Sequence, residues 1–241
     1  MENAARKSTL IKMTRAKKPV FYREILFICF LSVLVGTAFS LPQNGGIQAQ
    51  DEKMIVACVG DSITYGYGVR HNLNLDSYPS ILQRKLGDNY QVLNFGVSNS
   101  ALTYASYNPY WETDSYYESM VSNPKIVLIM LGTNDTWHYR FSADLFEGDL
   151  MYMISLYQSL PSQPTVYLLT PPDAFSIADG EVIENELVPL IHKVGEQAGV
   201  EVIDIFPLTK DQKKYYISDA IHPNAFGNYL ISKLVFKAIT N

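Results

Sequence analysis

The sequence predicts one α/β domain built on a parallel sheet with helices over both faces. Three observations carry this. Short runs apolar on both faces recur along the chain, helical patterns lie between them, and small polar residues follow the runs directly. Met54–Val59, Val92–Phe95, Lys125–Leu131, Thr165–Thr170 and Val200–Ile205 read as buried strands by length and β-branched content. Tyr78–Leu86 reads as a helix, with Ile81, Leu82 and Leu86 on one face and Gly87 as its stop. Asp144–Leu160 has near-helical apolar spacing and ends before Pro161. The fourth strand stops at Pro171-Pro172. Glu181–Ala198 reads as a long helix with a bend at Pro189, and Ala225–Ile239 as the closing helix.

The chain has 241 residues, enough for one domain with a substantial core, and 47% of them are hydrophobic, which excludes a wholly disordered protein. Charge is unevenly spread. Residues 1–40 hold seven Lys/Arg and two Asp/Glu, whereas the rest holds 12 and 22, a net of −10. An acidic body argues against nucleic acid or anionic lipid as a partner. The basic flank of Arg15, Lys17, Lys18 and Arg23 precedes an apolar run, Ile25–Phe39. Residues 1–40 therefore read as a signal peptide or, if uncleaved, an N-terminal signal anchor. Cleavage is favoured, at Ala38-Phe39-Ser40 or later at Ala49, because the run falls short of the ~20 residues of a spanning helix. Either way the body is expected outside the membrane, secreted or anchored there, with membrane contact only through this segment. Residues 41–51 read as a linker around Gly45-Gly46, and 52–241 as the domain. Cys29 falls in the apolar run, and Cys58 reads as a buried free thiol.

In parallel sheets, sites form at the carboxyl ends of the strands. The first strand is followed by Gly60-Asp61-Ser62-Ile63-Thr64, the second by Gly96-Val97-Ser98-Asn99, and the third by Gly132-Thr133-Asn134-Asp135. Asp219-Ala220-Ile221-His222-Pro223 follows the fifth, past a loop. A hydroxyl nucleophile needs a base, a group that orients the base, and donors for the oxyanion. Ser62 lies where a turn exposes its hydroxyl at a helix N-terminus. Asp219, three residues before His222, is spaced to meet Nδ1 through a tight turn and leave Nε2 for Ser62. The Ser62 and Gly96 N–H groups and the Asn134 amide are candidate oxyanion donors. The bland alternatives are a helix-capping Ser62, a tight-turn Gly96 and a turn Asn134. No G-x-S-x-G elbow surrounds Ser62, which argues against an α/β-hydrolase.

These blocks, in this order and spacing, resemble the SGNH/GDSL hydrolase superfamily. Gly60-Asp61-Ser62 matches its first block, with Ile63 in place of leucine. Gly96 in Asn94-Phe95-Gly96 matches the second, Gly132-Thr133-Asn134-Asp135 the third, and Asp219–Pro223 the D-x-x-H-P block. The resemblance implies a flavodoxin-like three-layer α/β/α sandwich with a five-stranded parallel sheet. It also implies a Ser62–His222–Asp219 esterase with Ser62, Gly96 and Asn134 as oxyanion donors and no cofactor. More narrowly, Pro109-Tyr110-Trp111, the Leu131–Asp135 run and Tyr167–Pro172 resemble bacterial acetylxylan esterases and sialate O-acetylesterases. That likeness implies removal of acetyl groups from carbohydrates, although Thr136–Arg140 departs from the pattern.

Candidate substrate contacts are Asp61, Tyr65, Trp111, Asp135 and Trp137, near the strand ends. Asp61 and Asp135 have structural alternatives, holding the loop or capping the next turn. Tyr67, Tyr104, Tyr107, Tyr110 and Tyr139 also fall there and suit either sugar stacking or packing. His71, His138 and His192 have no partner motif, and no group of ligand-type residues has metal spacing. The expected partner is a small-molecule or polysaccharide ester. A lysophospholipase, arylesterase or thioesterase keeps the mechanism and changes the substrate. A non-catalytic carbohydrate binder is the rival of another class, disfavoured because every expected catalytic position is filled.

Overall fold

The five apolar runs become five parallel strands in the computed structural model, which describes residues 53–137, 141–175 and 179–241. The proposed signal (1–40), the linker (41–51), Cys29, His138 and Tyr139 lie outside the described residues. The strands are β1 (Met54–Gly60), β2 (Tyr90–Gly96), β3 (Ile126–Met130), β4 (Thr165–Leu169) and β5 (Glu201–Ile203). Their order in the sheet is β2-β1-β3-β4-β5. Val56 of β1 pairs with Val92 of β2 on one side and Ile126 of β3 on the other. The chain thus leaves β1 toward one edge and returns on its far side. That reversal opens a crevice at the carboxyl ends of β1, β2 and β3.

Period-two alternation explains why the runs are apolar throughout. Val56, Cys58, Ile126, Leu128 and Met130 face one layer, while Ala57, Val59, Val127 and Ile129 face the other. The first layer holds α2 (Tyr78–Leu86) and α6 (Ala225–Thr240), through Tyr78, Leu82, Ile231 and Val235. The second holds α3 (Asp114–Val121), α4 (Ala143–Gln158) and α5 (Val188–Ala198), through Tyr116, Phe146, Leu150, Ile191 and Val194. Each such aliphatic side chain contributes about 1.5–3 kcal/mol by leaving water. Cys58 is a buried free thiol, and burial pushes it up to about 12. The three-layer sandwich matches expectation.

Three departures have local causes. The helix expected over 181–198 is broken. Asp179–Val182 is α-helical, Ile183–Leu187 forms a π turn, and α5 follows. Pro189 has no N–H and its ring crowds the carbonyl of Asn185. The Val188 N–H reaches back to the Ile183 carbonyl, five residues away, which widens the turn there. Ile183 and Leu187 stay buried. The fifth strand is shorter than Val200–Ile205, because the N–H groups of Ile205 and Phe206 turn to Thr170 Oγ1 at 2.8 and 3.0 Å. Helix α3 was not anticipated; its start is marked by Thr113, whose hydroxyl accepts from the Tyr116 N–H at 3.2 Å.

Candidate active site

A four-residue helix, α1 (Ser62–Tyr65), starts directly off β1. Asp61 caps it, with Oδ1 accepting from the Ile63 N–H at 2.8 Å. Ser62 is therefore held where β1 ends, with its hydroxyl turned to the crevice. Its Oγ lies 2.8 Å from His222 Nε2, across 160 residues of chain. His222 Nδ1 lies 2.7 Å from Asp219 Oδ2. Asp219 Oδ1 meanwhile accepts from the N–H groups of Ile221 and His222 at 2.9 and 3.0 Å. One carboxylate thus shapes its own turn and orients the imidazole. Partial burial raises the Asp219 pKa, but the His222 and Ile221 N–H groups and the imidazole outweigh it and hold the carboxyl below its usual range. An ionised carboxylate only accepts, so Nδ1 carries the proton and Nε2 is free to accept from Ser62.

The turn is anchored on several sides. Ala220, with φ 61, completes it, and its carbonyl accepts from the Phe175 N–H at 2.9 Å. The His222 carbonyl accepts from the Ile217 N–H at 3.0 Å. Asn228 Nδ2 donates to the Pro223 carbonyl at 2.9 Å, and Asn228 Oδ1 accepts from the Tyr78 N–H at 3.0 Å, which ties the turn to α2. The Tyr67 ring packs 4.5 Å from the imidazole, centroid to centroid, with the Arg70 guanidinium over it.

Gly96 closes β2 beside α1. Its N–H donates to Asn94 Oδ1 at 2.9 Å, and Asn94 Nδ2 donates to the Tyr65 carbonyl at 3.3 Å. The Asn94 side chain thus joins the end of β2 to α1. Position 96 also requires glycine on steric grounds, since a Cβ there would sit 2.1 Å from the Tyr65 backbone nitrogen. Asn99 is exposed, with φ 66, in the Val97–Ser100 turn. Asn134 docks on the same turn, its Nδ2 donating to the Ser100 carbonyl at 2.9 Å and keeping a second amide hydrogen. Asparagine suits position 99 because it tolerates the left-handed region better than other non-glycine residues.

The expected substrate contacts divide. Tyr65 and Trp137 are exposed. Trp111 is buried under the 102–110 loop, its Nε1 donating to the Leu102 carbonyl at 2.6 Å and its ring stacked on Tyr152. It faces the core because the loop folds its apolar side inward. Asp135 is also buried, its two oxygens accepting from the Leu102 and Thr103 N–H groups at 2.8 and 2.7 Å. It shapes the loop. Asp61 is 1% exposed and its Oδ2 has no partner. Burial pushes the Asp61 carboxyl up to about 7, and the Ile63 N–H pulls back only part of that. Because the folded pKa exceeds the ordinary 3.8, the folded state holds a proton that the unfolded chain has released. Stability should therefore fall as pH rises from about 4 to 7. Asp61→Asn, which keeps the Oδ1 acceptor, should flatten that slope and raise Tm at pH 8. A Tm–pH curve parallel to the parent's would remove the assigned cause. Among the described residues no cluster of His, Cys, Asp or Glu is placed to share a metal ion.

Residues 58–230 match the family model described as GDSL-like Lipase/Acylhydrolase. The chain belongs to this family. It is 30% identical over 214 residues to an acetylxylan esterase of Xylanibacter ruminicola, covering 79% of this chain. It spans only 44% of that relative's length. Among solved structures it resembles Est24, a carbohydrate acetylesterase from Sinorhizobium meliloti, with TM-score 0.63, 22% identity, and 78% of this chain and 98% of that one covered. It also resembles an aryl esterase of M. smegmatis, with TM-score 0.62, 19% identity, and 77% and 98% covered. These two solved structures share the sheet and its helical layers.

Proposed function

We propose that this chain is a serine esterase that removes acetyl groups from carbohydrate. The observation that carries it is the unbroken line Asp219–His222–Ser62, with hydrogen bonds of 2.7 and 2.8 Å, at the switch point of the sheet. In this reading Ser62 Oγ bonds to the ester carbonyl carbon while its proton passes to His222 Nε2. Asp219 stabilises the imidazolium. The Ser62 N–H and the Asn134 amide receive the oxyanion, with the Gly96 N–H as the third expected donor. His222 then protonates the departing alcohol, breaking the ester C–O bond. Water, deprotonated by His222, attacks the acyl-enzyme, and the acid leaves as Ser62 regains its proton.

The acetyl preference is supported by the acetylxylan esterase relative and by the likeness to a carbohydrate acetylesterase. The equally similar aryl esterase fold supports a second reading, in which small aromatic esters are the substrates. Purified protein should release acetate from acetylated xylan, and its rate on nitrophenyl esters should fall steeply from acetyl to octanoyl. Preference for octanoyl would discard the acetyl reading. Activity on aryl acetates with no acetate from any polysaccharide would favour the second reading.

A further inference from the structure

A cavity of about 640 Å³ opens beside Asn134, between the 102–110 loop and the start of α4. That volume is within the roughly 300–1,000 Å³ of small-molecule sites. Asn134 lines it, and Asn134 follows β3, whose Met130 pairs with Gly60 at the end of β1, two residues before Ser62. Its wall is built to be rigid. Asp135 fixes the Leu102 and Thr103 N–H groups, and Asp149 Oδ2 accepts from the Tyr104 N–H at 2.7 Å. The Ala101 N–H donates to the Asn108 carbonyl at 3.0 Å, closing the loop's base. This locked loop nevertheless holds the Tyr107 ring fully in solvent, while Trp137 is 42% exposed across the cavity lining. Fold stability gives no reason to fix an aromatic ring in water. The lining also includes Thr103, Ser106 and Ser142, and Ser106 Oγ is buried without a hydrogen-bond partner.

We propose that this cavity is the subsite for the sugar that bears the ester, with pyranose rings stacked on Tyr107 and Trp137 and their hydroxyls bonded to Thr103, Ser106 and Ser142. The proposal rests on the esterase reading and deepens it. A pyranose has an apolar C–H face and an equatorial rim of hydroxyls. It needs both an aromatic wall and polar partners, and the cavity offers both. A long acyl chain needs neither and would strand the hydroxyls unpaired. The rigid wall lowers the ordering cost of binding a weakly held sugar.

The test uses the Ser62→Ala protein, which holds acceptor without turnover, titrated calorimetrically with xylohexaose, cellohexaose and mannohexaose. At least one should bind saturably. Adding Tyr107→Ala should weaken that sugar about tenfold, and Tyr107→Phe should restore it, since the ring face is what binds. Tyr107 is fully exposed, so its removal leaves the core intact. Binding unchanged by Tyr107→Ala, or no saturable binding to any of the three, overturns the subsite. Failure of the esterase reading shows separately, as no hydrolysis of 4-nitrophenyl acetate by protein with Ser62 in place.

Discussion

Ser62→Ala should lower kcat on 4-nitrophenyl acetate by at least about 10³-fold. Removing Oγ removes the atom that forms the acyl-enzyme. What remains is water addition assisted by His222 and the oxyanion donors. The folded state should scarcely notice. Ser62 opens α1, its helix is capped by Asp61 rather than by its own side chain, and the one bond lost is that to His222 Nε2. Tm should therefore shift by no more than ~3 °C in a domain of this size. His222→Ala should cost nearly as much, and the double variant little more than either, because the two groups act as a unit. A serine-directed phosphonate should label the parent and not the Ser62→Ala protein. Activity above a few per cent in Ser62→Ala, with the fold intact, would end the assignment and leave Ser62 a turn residue.

Asp219→Asn has the next largest expected effect, a fall in kcat of about 10²–10⁴. The substitution separates the two tasks of this carboxylate. An asparagine Oδ1 can still accept from the Ile221 and His222 N–H groups, so the turn survives. Its amide, however, would donate toward Nδ1. The imidazole would then carry its proton on Nε2, facing Ser62, and would be unable to take another. The loss should appear in kcat with KM little changed, since neither oxygen is placed to touch substrate. Asp219→Ala, which removes the turn as well, should also lower Tm. Equal KM and kcat losses in Asp219→Asn would mean that the site had collapsed rather than changed tautomer. The depressed pKa adds a pH expectation. A lowered carboxyl stabilises the fold above its unfolded pKa of 3.8, and that contribution is lost only as pH falls through the still lower folded value. Above pH 4, acid inactivation should therefore trace to groups other than Asp219.

Much of this was legible along the chain, and what was not had a common cause. The limits of α2 follow from Tyr78 to Gly87, where an amphipathic stripe meets a residue at φ 74. Helix α3 has only Tyr116 and Ser119 fully buried, so it offers little periodicity to read. The Asp219/His222 pair was readable because a carboxylate three residues before an imidazole closes a local turn. The bond that the Gly96 N–H makes was not. Whether that N–H faces a substrate or the Asn94 side chain depends on how α1 lies against β2, which no local pattern encodes. The placing of Trp111 and Asp135 was hidden for the same reason. Both types suit an exposed contact and a buried brace, and the fold of the 102–110 loop made them braces.

The sequence by itself determined the strand order of chemistry: a serine after the first strand, an asparagine after the third, an aspartate–histidine pair near the end. Strand pattern and turn chemistry are set by near neighbours, so they survive reading in one dimension. The tertiary structure alone decided that the Gly96 N–H meets the Asn94 side chain and that Asn134 docks on the Ser100 carbonyl. It likewise decided that Tyr107 and Trp137 line a cavity while Trp111 supports it from beneath. Those outcomes depend on the direction of individual N–H groups and rings. Direction is fixed only when elements distant in the chain pack and each buried donor must find an acceptor.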